Sequence, residues 1–235
     1  MKHLEQILFL DIETVPLEAD FNALSERWKN LWARKAAILA RNNESPEDMY
    51  PKAGIYSEFG KIICISVGFL VKKKGKFDFR VKSITHENEK ELLKEFILLL
   101  EESFNTDNHY LCAHNGKEFD FPYLCRRLIV NELHLPHILN LMGKKPWEVR
   151  HYDTMQMWKF GDFKSYTSLD LLAALFNIPS PKDDIDGSMI YDIFYKEKDI
   201  ERIKEYCKKD VITLANIFLR MNEFAMLSRE QIKEV

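Results

Sequence analysis

The sequence predicts an α/β fold, a mixed sheet with helices on its faces, and three observations predict it. Residues 60–71 and 77–84 are two β-branched and aromatic runs joined by a Lys- and Gly-containing turn, the signature of a hairpin. Residues 87–103, 119–133 and 200–224 place apolar side chains at three- and four-residue steps, the period of an amphipathic helix. Short apolar runs lie between those helical segments, so strands and covering helices alternate along the chain.

The elements follow in order. Residues 6–10 form a short buried strand that ends in Asp11, Ile12 and Glu13. From 20 to 41, Phe21, Leu24, Trp28, Leu31, Trp32, Ala36 and Leu39 recur at helical steps, whereas 42–54, with Pro46, Pro51 and Gly54, reads as loop. The connection 16–59 is longer than the link between two strands needs, and it is the expected insertion or cap. Residues 60–71 form a central strand, 72–76 a turn around Gly75, and 77–84 the return strand. Helix 87–103 sets leucines and Phe96 on one face; a strand follows at 110–113 and a turn from His114 to Gly116. Helix 119–133 has Pro122 in its first turn, where the missing N–H has no helical partner to lose. Residues 152–160 fit strand or helix, 168–176 a helix capped by Ser168, 178–187 a loop, and 200–224 one long helix.

Composition removes several classes of function. With 235 residues, 46% hydrophobic and 30% charged, the chain is ordinary for a soluble globular protein and long enough to bury a core without disulfide or metal staples. Lys and Arg total 34 against 37 Asp and Glu, a formal charge of −3. That counts against a protein that coats nucleic acid non-specifically, but not against an enzyme that grips one strand end. The longest apolar stretch, near 62–71, is about half a membrane span, so no membrane partner is expected. Asp11 and Glu13 follow the N-terminal apolar patch where a secretory signal would have small residues. Cys64, Cys112, Cys125 and Cys207 form no CxxC pair and read as reduced thiols, which makes the expected compartment cytoplasmic. His134 and His137 flank Pro136 with no cysteine nearby, a polar loop rather than a zinc site.

Three local patterns carry chemistry. Asp11 and Glu13, at i and i+2 of a strand, point to one face, and like charges so close favour a divalent cation between them. Hard oxygen ligands of this kind suit Mg²⁺ or Mn²⁺. The second pattern runs from Asn115 and Gly116 to Phe119 and Asp120, then Pro122 and Tyr123. An acid and a proline at a helix start have a purely structural explanation; Asn115, Phe119 and Tyr123 appearing with them do not. In the third, Tyr206 and Asp210 stand one turn apart on the last helix. Taken alone, that pair is a surface contact.

In sequence order, Asp11-x-Glu13, Asn115-Gly-x-x-Phe119-Asp120 and Tyr206-x-x-x-Asp210 resemble the DEDDy class of 3′–5′ exonucleases, on the ribonuclease-H-like fold. The run Phe119-Asp120-x-Pro122-Tyr123-Leu124-x-x-Arg127 is most similar to the proofreading exonuclease domain of family-B DNA polymerases. The resemblance covers about residues 4–220, with 16–59 resisting alignment. The related histidine subclass has its histidine five residues before the last aspartate; here that position is Glu205, while Tyr206 fits the tyrosine subclass.

The resemblance implies a mixed five-stranded sheet with helices on both faces, a helical insertion after the first strand, and one exonuclease domain over residues 1–235 without a polymerase. It implies that Asp11, Glu13, Asp120 and Asp210 hold two divalent ions, Mg²⁺ or Mn²⁺, with Asp11 bridging them. Tyr206 would orient the attacking water, because a phenol with a pKa of about 10 is a poor base at neutral pH. Nucleoside 5′-monophosphates would leave the 3′ end of a single strand, DNA rather than RNA on the family-B likeness. Thr14 and Asn115 would contact the terminal nucleotide. Phe119 would stack near the last base or pack in the core, and Lys182 would approach the scissile phosphate or sit in solvent. Asp153, Asp162, Asp170 and Asp186 belong to no motif. An RNA 3′-end trimming enzyme and a non-catalytic nucleic-acid-binding module of the same fold are the alternatives. A Mg²⁺-dependent phosphatase would need a nucleophile motif that the sequence lacks.

Overall fold

The computed structural model describes residues 3–41, 44–73, 75–162, 166–179 and 185–235. Strand β1 (Ile7–Pro16) opens the fold and is followed by α1 (Glu26–Leu39) and α2 (Pro46–Met49). The hairpin β2 (Gly60–Lys73) and β3 (Lys76–Thr85) comes next, then α3 (Glu89–Ser103), β4 (Tyr110–Ala113), α4 (Asp120–Val130) and β5 (Tyr152–Asp153). Helices α5 (Thr154–Lys159), α6 (Leu169–Leu175), α7 (Ile190–Asp192) and α8 (Ile200–Met221) lead to β6 (Ile232–Glu234).

The sheet has six strands in the order β5-β4-β1-β2-β3-β6, one more than the expected five. The sixth, Ile-Lys-Glu, is too short to show a period; it forms because the outer side of β3 offers an open ladder edge. Strand β1 is antiparallel to β2 and parallel to β4, and β4 is parallel to β5. The ambiguous segment 152–160 is both things in turn: two strand residues, then α5, whose first turn Asp153 caps through the Met155 and Gln156 N–H groups.

Side-chain alternation along β1 sorts the core into two layers. Leu8, Leu10 and Ile12 pack with α3 and α4, against Phe96, Leu124 and Leu128. Ile7 and Phe9 pack on the other face, against Leu214, Ala215 and Phe218 of α8. In α8 the buried residues Tyr206, Cys207, Asp210, Val211 and Leu214 recur at three- and four-residue steps, so one stripe of the helix lies on the sheet. The β1–β2 register shifts between Glu13 and Thr14: Glu13 pairs with Cys64 but Thr14 with Ile62. Ile63 is the extra residue of a β-bulge, and it packs with Cys64 in a cluster that also contains Tyr206 and Cys207.

The connection after β1 is more structured than a loop. Asp20 caps a 3₁₀ turn, Phe21–Ala23, so α1 begins only at Glu26. A capping box between Ser45 and Asp48 starts α2 inside the stretch 42–54, and a 3₁₀ helix, Tyr50–Ile55, continues it. Trp32 is fully buried among Tyr50, Ala53 and Met49, and its indole N–H donates to the Pro46 carbonyl at 2.7 Å. This small core is fastened to the sheet. Tyr123 of α4 donates to the Gly54 carbonyl at 2.7 Å, and the Leu17 N–H, just past the end of β1, donates to the Phe59 carbonyl at 2.9 Å. The insertion thus braces the far end of the acidic strand. Among the described residues, no helix is long and apolar enough to cross a membrane.

Candidate active site

Asp11 and Glu13 occupy the odd-numbered face of β1, the face that α8 covers. Tyr206, Cys207 and Asp210 come from the buried stripe of α8. The two elements meet where the Cys207 sulfur donates to the Asp11 carboxylate at 3.3 Å and to its main-chain carbonyl at 3.5 Å. One oxygen of Asp11, one of Glu13 and the Cys207 sulfur all lie within 4.8 Å of one another.

Asp120 reaches the same place from the opposite layer. Strand β4 pairs with β1 only as far as Phe9 opposite Cys112 and ends at Ala113, so the stretch of β1 beyond it has no strand on that side. The turn from Asn115 to Phe119 fills that position and delivers Asp120 at the start of α4, within backbone hydrogen-bonding reach of Ile12. Asn115 adopts a left-handed conformation, φ 62°, which asparagine tolerates better than most residues. Gly116 is required by proximity: a Cβ there would lie 2.4 Å from that of Ala113 and 2.9 Å from the Phe121 ring.

The electrostatics are those of like charges buried together. Burial is the largest cause that raises the Asp11 carboxyl well above the usual carboxylate range; Asp210, Glu13 and Asp120 raise it further, and the Cys207 thiol opposes them. Glu13 is raised likewise by burial, then by Asp210, Cys64 and Asp120. Asp120 is pushed up to about 7, chiefly by burial, with Asp153 and Asp210 adding repulsion and backbone hydrogen bonds opposing it. The structure therefore brings all four acids of the sequence motifs into electrostatic contact. Tyr206 is buried, hydrogen-bonds to Asp210, and is held far above the ordinary phenol range by burial and by Asp210, Glu13 and Asp11. It donates this hydrogen bond as a neutral phenol.

The secondary candidates fare unevenly. Thr14 hydrogen-bonds with the Tyr123 phenol, which is itself bonded to Gly54. Phe119 is half-buried and packs on Tyr123 with ring centroids 5.4 Å apart, at the rim of the α3–α4 core. Asn115 is half-buried and its main chain, rather than its amide, forms the turn: its N–H donates to Asp153 and its carbonyl accepts from Glu118 and Phe119. Lys182 lies outside the described residues.

Sequence reasoning passed over three groups. Asp153 belonged to no motif, yet it is buried and accepts four backbone N–H bonds: from Asn115 and Lys117 at 3.0 Å each, and from Met155 at 3.0 Å and Gln156 at 3.2 Å. It ties the Asp120 turn to α5. Cys207 was counted only as a reduced thiol, although its place between Tyr206 and Asp210 put it on the same helical face. Arg127 entered only as part of a resemblance. Its guanidinium grips Glu89 through Nε at 2.9 Å and donates to the Ser57 carbonyl at 3.0 Å, while Glu89 also accepts the Ile62 N–H. That network binds α3, α4, β2 and the insertion together.

A family model described as "predicted 3′–5′ exonuclease related to the exonuclease domain of PolB" matches residues 55–234. The match includes Asp120, Tyr206 and Asp210 and begins after Asp11 and Glu13. Among solved structures, the family B DNA polymerase from the hyperthermophilic archaeon Pyrobaculum calidifontis aligns with a TM-score of 0.53 and 14% identity, covering 91% of this chain. The aligned part is 24% of that polymerase, so the chain spans about a quarter of its length. At this identity the likeness concerns the fold alone, which is mixed α/β and ribonuclease-H-like. No curated protein matches the chain.

Proposed function

The chain belongs to the family of predicted 3′–5′ exonucleases related to the exonuclease domain of PolB, and from that premise we propose that it removes nucleoside 5′-monophosphates from the 3′ end of single-stranded DNA. One observation carries the reading: carboxylates from three elements converge, Asp11, Glu13 and Asp120 each being raised first by burial and further by the charge of Asp210 on α8. A fold gains nothing in stability from such repulsion, and a bound cation relieves it.

The donor set fits Mg²⁺ or Mn²⁺, being carboxylate oxygens with one thiol beside them. Asp11, Glu13 and Asp210 would hold one ion, with Asp11 shared and Asp120 supporting a second. When bound, such ions would neutralise the carboxylates, acidify a water and stabilise negative charge developing on the phosphate. The chain's own residues do the rest. Tyr206 keeps its proton, because burial opposes the phenolate, and so would orient the attacking water without deprotonating it. The hydrogen bond from Cys207 fixes the Asp11 carboxylate in one orientation. Phe119, at the rim, offers a ring face to the terminal base.

The test is purified protein with Mn²⁺ and end-labelled single-stranded DNA and RNA run side by side. Stepwise shortening from the 3′ end, abolished by EDTA and by Asp11→Ala or Asp210→Ala, is the expected result. If both polymers remain intact, the hydrolase reading is overturned. If RNA alone is shortened, the substrate becomes RNA. Tyr206→Phe should fold normally and lose roughly ten- to a hundredfold in rate; full activity in that variant removes the water-orienting role.

A further inference from the structure

Two adjoining cavities lie along the outer side of α4, and none of the four clustered acids is among the residues that line them. The first, about 310 Å³, runs from Lys117 past Phe121 and Cys125 to Leu141 and Lys144, with Arg126 on its wall. The second, about 290 Å³, shares Leu141 and Lys144 with the first and continues to His109, His137 and Arg150. Together they form one groove, and among the described residues Asp107, which faces His137, is the only acid that lines it. Lys117, Arg126 and Lys144 take part in no ion pair among the described residues, whereas most cations on α3 and α8 are paired, as in Lys94–Glu91, Lys204–Glu201 and Lys208–Glu205. A cationic groove in a chain of charge −3 is a local feature that the overall charge conceals.

The groove also has a direction. Lys117 sits in the turn that delivers Asp120, and Phe121 follows Asp120 directly, so one end of the groove is built from the residues that flank Asp120 in the chain. The floor is apolar, with Phe121, Cys125, Leu135 and Leu141, and Trp147 stands exposed beyond Pro146. Cations spaced along an apolar floor match a chain of phosphates that carries flat bases. We propose that this groove carries the single strand 5′ of the terminal nucleotide, with phosphates on Lys117, Arg126 and Lys144 and bases against the floor. This inference rests on the proposed exonuclease reading. A flexible acidic peptide would find the same cations but would have no use for an apolar floor that begins at the residues flanking Asp120.

The test separates the two readings. Binding of a fluorescein-labelled single-stranded oligonucleotide of about 15 nucleotides is followed by anisotropy in EDTA, where nothing is cleaved. For the Lys117→Ala/Arg126→Ala/Lys144→Ala variant, affinity should fall roughly tenfold or more, and the slope of log K against log salt should become shallower by about 2. With Mn²⁺, the ratio of kcat/KM on this oligonucleotide to that on a dinucleotide should fall by a similar factor. An unchanged salt slope and length dependence overturn the groove even if the enzyme is active, and so does a wild type that binds no oligonucleotide. A wild type that binds through these residues but cleaves nothing keeps the groove and overturns the hydrolase reading. Competition by poly-glutamate as effective as that by the oligonucleotide reassigns the surface to an acidic protein partner and also overturns the proposal.

Discussion

Replacing Asp153 by asparagine changes one atom and should loosen the segment that positions Asp120. One carboxylate oxygen accepts the Asn115, Met155 and Gln156 N–H groups, and the other accepts Lys117. An asparagine can place its carbonyl where the first oxygen lies. Its NH₂ then faces the Lys117 N–H, donor against donor. Leaving that buried N–H unsatisfied costs about 1–3 kcal/mol, and three bonds that were charge-assisted become neutral at a loss of about 0.5–1 kcal/mol each. Removing the Asp153 charge also relieves one of the repulsions acting on Asp120, which returns part of the loss in the metal-free protein. The expected net cost is about 2–4 kcal/mol, measured by urea unfolding monitored through tryptophan fluorescence. Nuclease activity should fall with it, more in kcat than in KM, because the displaced group is Asp120 rather than a base-contacting surface. A variant that loses less than about 1 kcal/mol and keeps full kcat would show that the turn holds its shape without Asp153.

Three further outcomes can be measured. Asp11→Asn should inactivate the protein yet raise its melting temperature in EDTA by a few degrees, because it removes one charge from a mutually repelling set; an unchanged or lower value refutes the electrostatic account. His151 accepts the Leu111 N–H at Nδ1 and lies 2.8 Å from the Ile138 carbonyl at Nε2, and burial lowers its pKa from 6.5 to about 4. Between those values the unfolded chain binds a proton that the native state refuses, so this contribution is intact above pH 6.5 and lost as pH falls toward 4. At about pH 4.5 the wild type should have lost roughly 2–3 kcal/mol more than His151→Gln relative to pH 7, and parallel pH profiles would contradict this. Arg127→Met strands Glu89 in a buried site and should cost about 3–5 kcal/mol in the same urea assay, with a much smaller cost in the double variant that also carries Glu89→Leu.

What was legible in the sequence was whatever lay within one element. The hairpin, the 110–113 strand and the long C-terminal helix carry their own periods, whereas the convergence of the acids and tyrosine of the three motifs was an expectation from the family resemblance alone. Asp153 was illegible because its partners are main-chain N–H groups of Asn115 and Lys117, which leave no trace in residue type. β6 was illegible because the feature that creates it is the vacant edge of β3. The residues around Ser45 read as loop by composition, while a capping box and a buried Trp32 made them a small core. Tertiary context overrode local bias there.

The extra residue at Ile63 bears on how far the acidic triplet can travel. In an uninterrupted ladder, Ile63 and Cys64 would look toward opposite layers; the bulge turns both toward α8, where Cys64 lies opposite Glu13 and Ile63 joins the packing around Tyr206. Asp-Ile-Glu is therefore not a portable cassette. Transplanted to a regular sheet, the same three letters would keep their own cross-strand partners but lose the Ile63 side chain that packs around Tyr206. An engineer who grafts this strand, or an alignment that closes a one-residue gap in its partner, must carry along an irregularity about fifty positions away.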